Sequence, residues 1–476
     1  MAISLSPTTA YAQAVSGEIA GTITDSSGAV IAGAQITAAN VVTGVVTTVT
    51  SNSSGLYNFS ELPAGTYDLT VTSTGFTRSV LKGVLVELNH TQSANIELKP
   101  AGTATNVEVV AMAGVTVDTE SSQLQTSFDT KELSELPLAA SGLGVLNLSL
   151  LSPGVGSSGG TGIGVGPAIG GQRPQNNDFT LEGVDDNDKT VSGPMVLVNP
   201  DSVSEFSLLT NVYSAEFGHS DAGHFNTIVR TGTNKFHGRV YEYFQNRNMN
   251  AVDTFNAIGK DPGATKNPRF DNNLFGGGIG GPVIHDKLFF YADYERNPVG
   301  QTGGTNQLCV PTAAGLTALG SATGVSATNL SILTTYLPTA TSSTTNNCSS
   351  PAISVGTSNT VVPLGDYTLI AGSFLNKDFL TTAVDYKLSD RDQFRFRYVY
   401  NLDDGPDTAA AIPAFWGTAP IRDHLASISY FHTFTPTLLN EARLGYLRNF
   451  SKLDAPFPAE FPGLGTFPNQ IGRAHV

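Results

Sequence analysis

The segment Lys287–Glu295 alternates strictly. Leu288, Phe290, Ala292 and Tyr294 fall on one face of an extended chain, and Phe289, Tyr291, Asp293 and Glu295 on the other. In Gln393–Tyr400, Phe394, Phe396, Tyr398 and Tyr400 oppose Gln393, Arg395 and Arg397. Thr382, Val384, Tyr386 and Leu388 oppose Asp385 and Lys387 in the same way. A period of two marks strands, because a helical stripe repeats every 3.6 residues. An aromatic face and a charged face, over segments of roughly ten residues, suit strands with lipid on one side and a polar lumen on the other. A soluble barrel with an apolar interior gives the same alternation, so the pattern alone leaves both readings open.

Connection lengths favour the membrane. The candidate strands are Lys235–Asn246, Phe270–Ile284, Lys287–Arg296, Lys377–Ser389, Gln393–Leu402, Arg422–Phe434 and Leu438–Phe450. Short links at His285–Asp286, Asp390–Asp392 and Thr435–Thr437 alternate with long ones at Arg247–Arg269, Asn297–Asn376 and Asp403–Ile421. Outer-membrane barrels need short periplasmic turns and long outer loops. No run of about 18 apolar residues is present, so no transmembrane helix is expected.

Composition fits this class. A length of 476 residues implies two to four domains. Charged residues are 14% of the chain and glycine contributes 50 positions, as β structure with many turns requires. The net charge of −15 excludes a nucleic-acid partner, which needs a basic face.

The first residues resemble the end of a signal peptide. Ala10-Tyr11-Ala12 and Ala12-Gln13-Ala14 fit the small-x-small cleavage pattern, so residues 1–14 are expected to be a signal remnant whose start lies upstream of Met1. Residues 17–99 read as a β-sandwich of transthyretin or immunoglobulin type. Strands Glu18–Thr24 and Ala34–Ala39 are joined through the turn Asp25-Ser26-Ser27-Gly28, Val45–Thr50 is a β-former throughout, and Tyr67, Leu69 and Val71 share one face.

Residues 103–233 are expected to form a small α+β domain. Thr130–Pro137 suits a short helix capped by Thr130. Gly154–Gly171 lacks the Gly-Lys-Ser/Thr ending of a phosphate loop. Asp185, Asp186 and Asp188 could offer oxygens to calcium, but the EF-hand spacing and its terminal Glu are missing, and a solvated turn is the favoured reading. Gly276–Gly281 contains Gly-x-Gly-x-x-Gly, but Pro282 and a strand follow it; a strand packed against the preceding domain is expected instead of a dinucleotide site. His219, His224 and His237 have no metal-ligand spacing.

Three groups of residues carry a family resemblance. Gly21–Asp25, Gly55–Tyr57 and Pro63–Tyr67 resemble the carboxypeptidase-regulatory-like domain. Arg173–Asp188, Asn199–Phe206 and Tyr213–Gly218 resemble the plug of TonB-dependent outer-membrane receptors. Gly218–Phe244, with its turn at Thr231–Asn234, resembles their plug-to-barrel junction. Together they are similar to the Oar-like subgroup. The resemblance implies a sandwich and plug on the periplasmic side, then the first strands (235–470) of an antiparallel barrel in the bacterial outer membrane.

It also implies a TonB partner, contact with outer-membrane lipid, and an unidentified extracellular ligand, with carbohydrate as one admissible class. Val107, Glu108, Val109, Val110 and Ala111 fit a TonB box, a strand that pairs by backbone hydrogen bonds, and fit an ordinary first plug strand at least as well. Neither His-x-x-Glu nor His-Glu-x-x-His occurs, so no peptidase activity is implied. No catalytic residue, cofactor or metal is expected. The alternative function is a non-transporting adhesion or matrix-binding protein on the same scaffold.

Cys309 and Cys348 are the only two cysteines, and both fall in the Asn297–Asn376 loop that the topology places outside the cell; they are expected to pair. Ile471–Val476 matches what an in-frame sequencing adapter encodes, and the chain is expected to be an N-terminal fragment with an unclosed barrel sheet.

Overall fold

A computed structural model of the chain describes residues 16–101, 107–110, 123–135, 144–156, 166–188, 193–211, 217–218, 220–249, 251, 269–389, 391–407, 416–435 and 438–452. The expected signal remnant, Ala111, His219 and the closing hexapeptide lie outside these residues.

The first nine strands build the sandwich. They are β1 (Gly17–Asp25), β2 (Gln35–Asn40), β3 (Val46–Thr50), β4 (Leu56–Leu62), β5 (Gly65–Thr72), β6 (Ser79–Val86), β7 (Thr91–Ser93), β8 (Ile96–Leu98) and β9 (Val107–Val110). One sheet runs β4-β1-β7, with β8 also on β1, and the other runs β3-β2-β5-β6-β9. Alternation decides which side chains meet between them: Ile19, Ile23, Ile36, Phe59, Tyr67, Leu69 and Val71 are buried together. The turn after β1 forms as its residues require. Asp25 Oδ1 accepts hydrogen bonds from Ser27 N and Ala29 N, and Gly28 supplies a φ of 84°.

The plug follows. It comprises β10 (Leu124–Asp129), α1 (Thr130–Glu135), the two-residue strands β11 (Val155–Gly156) and β12 (Ala168–Ile169), β13 (Asp178–Leu181), β14 (Val184–Asp185), β15 (Val203–Asn211) and β16 (His224–Val229). Its main sheet is ordered β10-β15-β16-β13-β14. Stacked Phe179, Phe225 and Phe206 fill its core. The cap of α1 is Asp129, not Thr130. Asp129 Oδ1 accepts from Glu132 N, and Glu132 Oε2 accepts from Asp129 N, a reciprocal capping box.

The barrel strands are β17 (His237–Asn246), β18 (Phe270–Ile284), β19 (Leu288–Pro311), β20 (Ala352–Val355), β21 (Thr360–Lys387), β22 (Asp392–Asp404), β23 (Pro406–Asp407), β24 (Gly417–Thr418), β25 (Ile421–Thr435) and β26 (Leu438–Ser451). All but β23 and β24 make one antiparallel sheet, β17-β18-β19-β21-β22-β25-β26, with β20 on β21; β23 and β24 pair only with each other. Among the described residues β17 and β26 do not pair, and the sheet is open.

Register explains the two faces. Phe290, Val384, Phe396, Ile428 and Leu444 lie opposite one another across five strands and form one apolar row. Val384, Phe396, Ile428 and Leu444 in that row are exposed. One residue along, Tyr291, Ala383, Arg397, Ser427 and Gly445 form the adjacent row. It faces the plug: Tyr291, Ala383, Val399 and Leu425 share the plug's own core.

The expected loop Asn297–Asn376 proves to be strand at both of its ends. β19 and β21 continue as a paired ribbon from Asn297/Lys377 to Pro311/Leu364. The connection beyond it holds two short helices, α2 (Ala313–Ser321) and α3 (Ala327–Tyr336). Thr312 and Ser326 cap them by accepting from Gly315 N and Asn329 N. Among the described residues no helix is long and apolar enough to cross a membrane.

Candidate functional site: the plug anchors and the coupling strand

Three successive residues at the tip of the β13–β14 hairpin each touch the barrel wall. Glu182 Oε1 lies 3.1 Å from Arg397 Nε. The Gly183 carbonyl accepts from Arg443 Nη1 at 2.7 Å. Val184 packs where Gly445 leaves room, since a Cβ on Gly445 would lie 2.5 Å from Val184 Cγ1. Glu182 adopts a left-handed φ of 51°, unfavourable for a residue with a side chain. Its environment holds it there: Glu182 N donates to Thr227 O, and its carboxylate also accepts from Val229 N. Arg397 completes the arrangement through Asp385, whose Oδ1 is 2.8 Å from Nη1. One buried guanidinium thus sits between a plug carboxylate and a barrel carboxylate.

A second anchor uses an amide. Asn401 Nδ2 donates to Leu197 O at 2.9 Å, and Leu197 N donates to Asn401 Oδ1 at 2.6 Å. Nearby, Asn199 Nδ2 donates to Asp293 Oδ1 at 2.5 Å, while Asn199 Oδ1 accepts from Ser202 N. Asp201 pairs with Arg239 of β17. These contacts satisfy polar groups inside the sheet's concavity, as burial demands.

The acidic turn is solvated only in part: Asp185 is exposed and Asp188 half-buried, but Asp186 is not solvated. Asp186 is buried and accepts from Val196 N at 2.9 Å; burial pushes its carboxyl well above the ordinary range. Asp185 Oδ1 accepts from Asn187 N and Nδ2. Among the described residues no group of three or more His, Cys, Asp and Glu could hold a metal. His224 is buried against Asp178, with Nδ1 2.9 Å from Oδ2, and its Nε2 is 2.8 Å from Gly218 O. His237 lies on β17, away from that pair.

The glycine run on β18 also differs in its reason. Gly276, Gly278 and Gly280 give room to the barrel's own Tyr241, Asp293, His237 and Tyr291 side chains, and not to the plug. Close approach to a neighbouring backbone is instead required at Gly232, where an added Cβ would meet Phe290 and Gly281 backbone atoms of the wall.

Val107–Val110 is extended, but it is not a strand of the plug. β9 pairs in parallel with β6 at the end of the sandwich sheet, in register from Ser79↔Val107 to Lys82↔Val110. The sandwich is tied to the other domains close by. Leu88 N donates to Glu205 Oε1, Leu88 O accepts from Gln125 Nε2, and the Leu88 side chain is buried with Ile228 and Phe431. Lys387 Nζ donates to Val46 O at 3.0 Å, and Asn234 Nδ2 to Thr43 O.

At the other end of the barrel strands, Cys309 on β19 and Cys348 before β20 are joined by a disulfide with a Cα–Cα distance of 5.1 Å. Asp366 binds the same region to the ribbon, accepting from Asn346 N, Asn347 N and Thr344 Oγ1.

Sequence reasoning placed Arg397 on the charged face but gave it no partner, and Asn401, Leu197 and Leu88 carried no signal. Their functions depend on contacts between distant parts of the chain.

An antiparallel sheet with an aliphatic and aromatic outer row, a polar inner face and a domain packed into its concavity defines an outer-membrane barrel with an internal plug. The outer membrane beta barrel domain family matches residues 228–474, and this chain belongs to it. Its location is the outer membrane. Residues 18–99 match the carboxypeptidase regulatory-like domain.

The TonB-dependent transporter Oar of Myxococcus xanthus is 28% identical over 255 residues, which are 52% of this chain and 23% of that protein. The chain therefore spans about a quarter of the length of this curated relative. Among solved structures, the outer membrane transporter YddB from Escherichia coli aligns with a TM-score of 0.46 at 11% identity, over 69% of this chain and 40% of its own. The siderophore receptor PirA from Pseudomonas aeruginosa aligns with a TM-score of 0.40 at 12% identity, over 70% of this chain and 42% of its own.

Proposed function

We propose that this chain is part of a TonB-dependent receptor that binds a ligand at the outer face and admits it when the plug is rearranged. Val107–Ala111 is the proposed TonB box, and the inner-membrane energy system supplies the work through it. The observation that carries this reading is the hairpin tip Glu182–Val184, seated on Arg397, Arg443 and Gly445. The plug is held by these polar contacts and by apolar packing on Tyr291, Ala383, Val399 and Leu425, but it shares no strand with the wall among the described residues, so it can be released without unfolding the wall. No residue in this scheme performs covalent chemistry.

The test uses the complete receptor in its host. A photo-crosslinking residue at Val109 should yield a TonB adduct that disappears when the proton-motive force is collapsed. Absence of any adduct from Glu108, Val109 and Val110 alike would remove these residues from the coupling role. The adhesion reading predicts binding at the cell surface that persists unchanged, with no uptake, in a strain lacking TonB.

A further inference from the structure

The sandwich is antiparallel throughout the β3-β2-β5-β6 sheet, and β9 alone joins that sheet in parallel. Its pairing covers four residues on each strand, Ser79–Lys82 against Val107–Val110. Parallel ladders hold slightly less well per residue than antiparallel ones, so this is the weakest seam of the sheet. It is also where the proposed coupling strand is kept.

The placement of β9 in the chain matters as much as its pairing. β9 lies between the last strand of the sandwich core, β8, and the first strand of the plug, β10. β10 is an edge strand of the plug sheet, antiparallel to β15. A pull applied to Val107–Val110 could reach β10 only through the intervening chain. While β9 stays on β6, the sandwich carries that load instead. The sandwich is in turn fastened to the barrel rim through Lys387 and Val46, and to the plug through Leu88, Gln125 and Glu205.

We propose that the sandwich gates energy coupling: β6 and the energy-coupling partner are alternative pairing partners for the backbone of Val107–Val110. This rests on the TonB-box reading above and goes beyond it. The sandwich stores the coupling strand in a protected, extended form, and the partner takes it by strand exchange. Recognition by backbone hydrogen bonds makes such an exchange possible, since β6 and a partner strand offer the same groups. Opening a four-residue edge is a local event and does not require the sandwich to unfold. Once β9 has left β6, load passes directly to the β10 edge of the plug.

Hydrogen exchange on the complete receptor, with and without the purified periplasmic domain of TonB from the same organism, tests this. The expected result is at least a tenfold rise in exchange at those Ser79–Lys82 amides that face β9, together with protection of Val107–Val110. Unchanged exchange at Ser79–Lys82 with new protection of Val107–Val110 would overturn the gate and leave the TonB box standing, because the partner would then be adding to the free edge of β9. No change at either Ser79–Lys82 or Val107–Val110 would overturn both. A second measurement uses the pair Ser79→Cys and Val107→Cys. With this bridge oxidised, affinity for the TonB domain should fall at least tenfold relative to the reduced protein, with the parent receptor treated identically to account for Cys309–Cys348. Equal affinity in the two states would overturn the gate.

Discussion

Leu88 and Glu205 join the sandwich to the plug: the Leu88 N–H donates to Glu205 Oε1 at 2.9 Å in a buried site. Burial pushes the Glu205 carboxyl up to about 8, against the smaller opposing effect of the Leu88 hydrogen bond. A carboxyl raised in the docked state binds its proton more tightly there than in the open state. Docking is therefore strongest below about 4.5, the ordinary value, and weakens as pH rises through about 8. Spin labels at Val42→Cys and Leu124→Cys should report a docking equilibrium that shifts toward the undocked state roughly a hundredfold between pH 6 and pH 9. Glu205→Gln keeps an acceptor for Leu88 N and should flatten that dependence. A profile unchanged by Glu205→Gln would assign the titration elsewhere.

Arg397 is the only charged group on the wall that meets carboxylates of both domains among the described ion pairs. Arg397→Ala leaves the buried Glu182 and the half-buried Asp385 without their cation. Breaking a buried pair in this way costs roughly 3–5 kcal/mol. The loss should fall on plug seating and not on the barrel. In the complete receptor, exchange at the Val229 amide, which donates to Glu182 Oε1, should rise sharply in Arg397→Ala. Barrel amides on β21 and β22 should be unaffected. Equal loosening of both would mean that Arg397 supports the wall itself.

The parts legible in the sequence are those that local period controls. The β19 segment Leu288–Glu295 and β22 show their two faces directly, because lipid and lumen select opposite residue types at every second position. The outer ribbon was not legible. Its residues Pro298–Thr305 are Pro, Val, Gly, Gln and Thr without alternation, so no period marks them as strand. The place of β9 was hidden for a different reason. A short segment with three β-forming valines pairs with any free edge, and nothing in Val-Glu-Val-Val names β6. The seat of Glu182 combines both cases. Leu-Glu-Gly-Val marks a turn, but the partner of its carboxylate is 215 positions away (397 minus 182).

Gly445 and Val184 form a size-matched contact. Gly445→Ala places a methyl against Val184 Cγ1, and overpacking of this kind costs roughly 1–3 kcal/mol. Val184→Ala should restore the fit. The double variant is expected to seat its plug nearly as well as the parent, with the non-additive gain read as a coupling energy in a double-mutant cycle. Additive losses would show that the two positions do not meet.

The Cys309–Cys348 disulfide closes a separation of 39 residues that contains α2 and α3. Cys309→Ser with Cys348→Ser should loosen this cap by up to about 4 kcal/mol in the chain-entropy model. Protease should then cut within residues 312–359 of intact cells, while the sandwich, on the proposed periplasmic side, stays protected. Resistance equal to the parent would mean that the helix caps and Asp366 hold the region without the bridge.

The outer row makes the sharpest prediction about the membrane. Leu444 is 70% exposed and Ile428, its cross-strand neighbour, 44%. In water such a row would be a liability for association. In lipid it is the solvated face. Leu444→Arg should therefore cost about 2–4 kcal/mol if it sits near the bilayer midplane, and less toward either interface. Ser427, one residue over on the inward row, faces the plug, so Ser427→Arg should disturb plug seating without changing partition into lipid. Folding of the complete receptor into vesicles, measured for both variants, separates the two. Equal effects on membrane insertion would mean that the inward and outward rows have been assigned to the wrong faces.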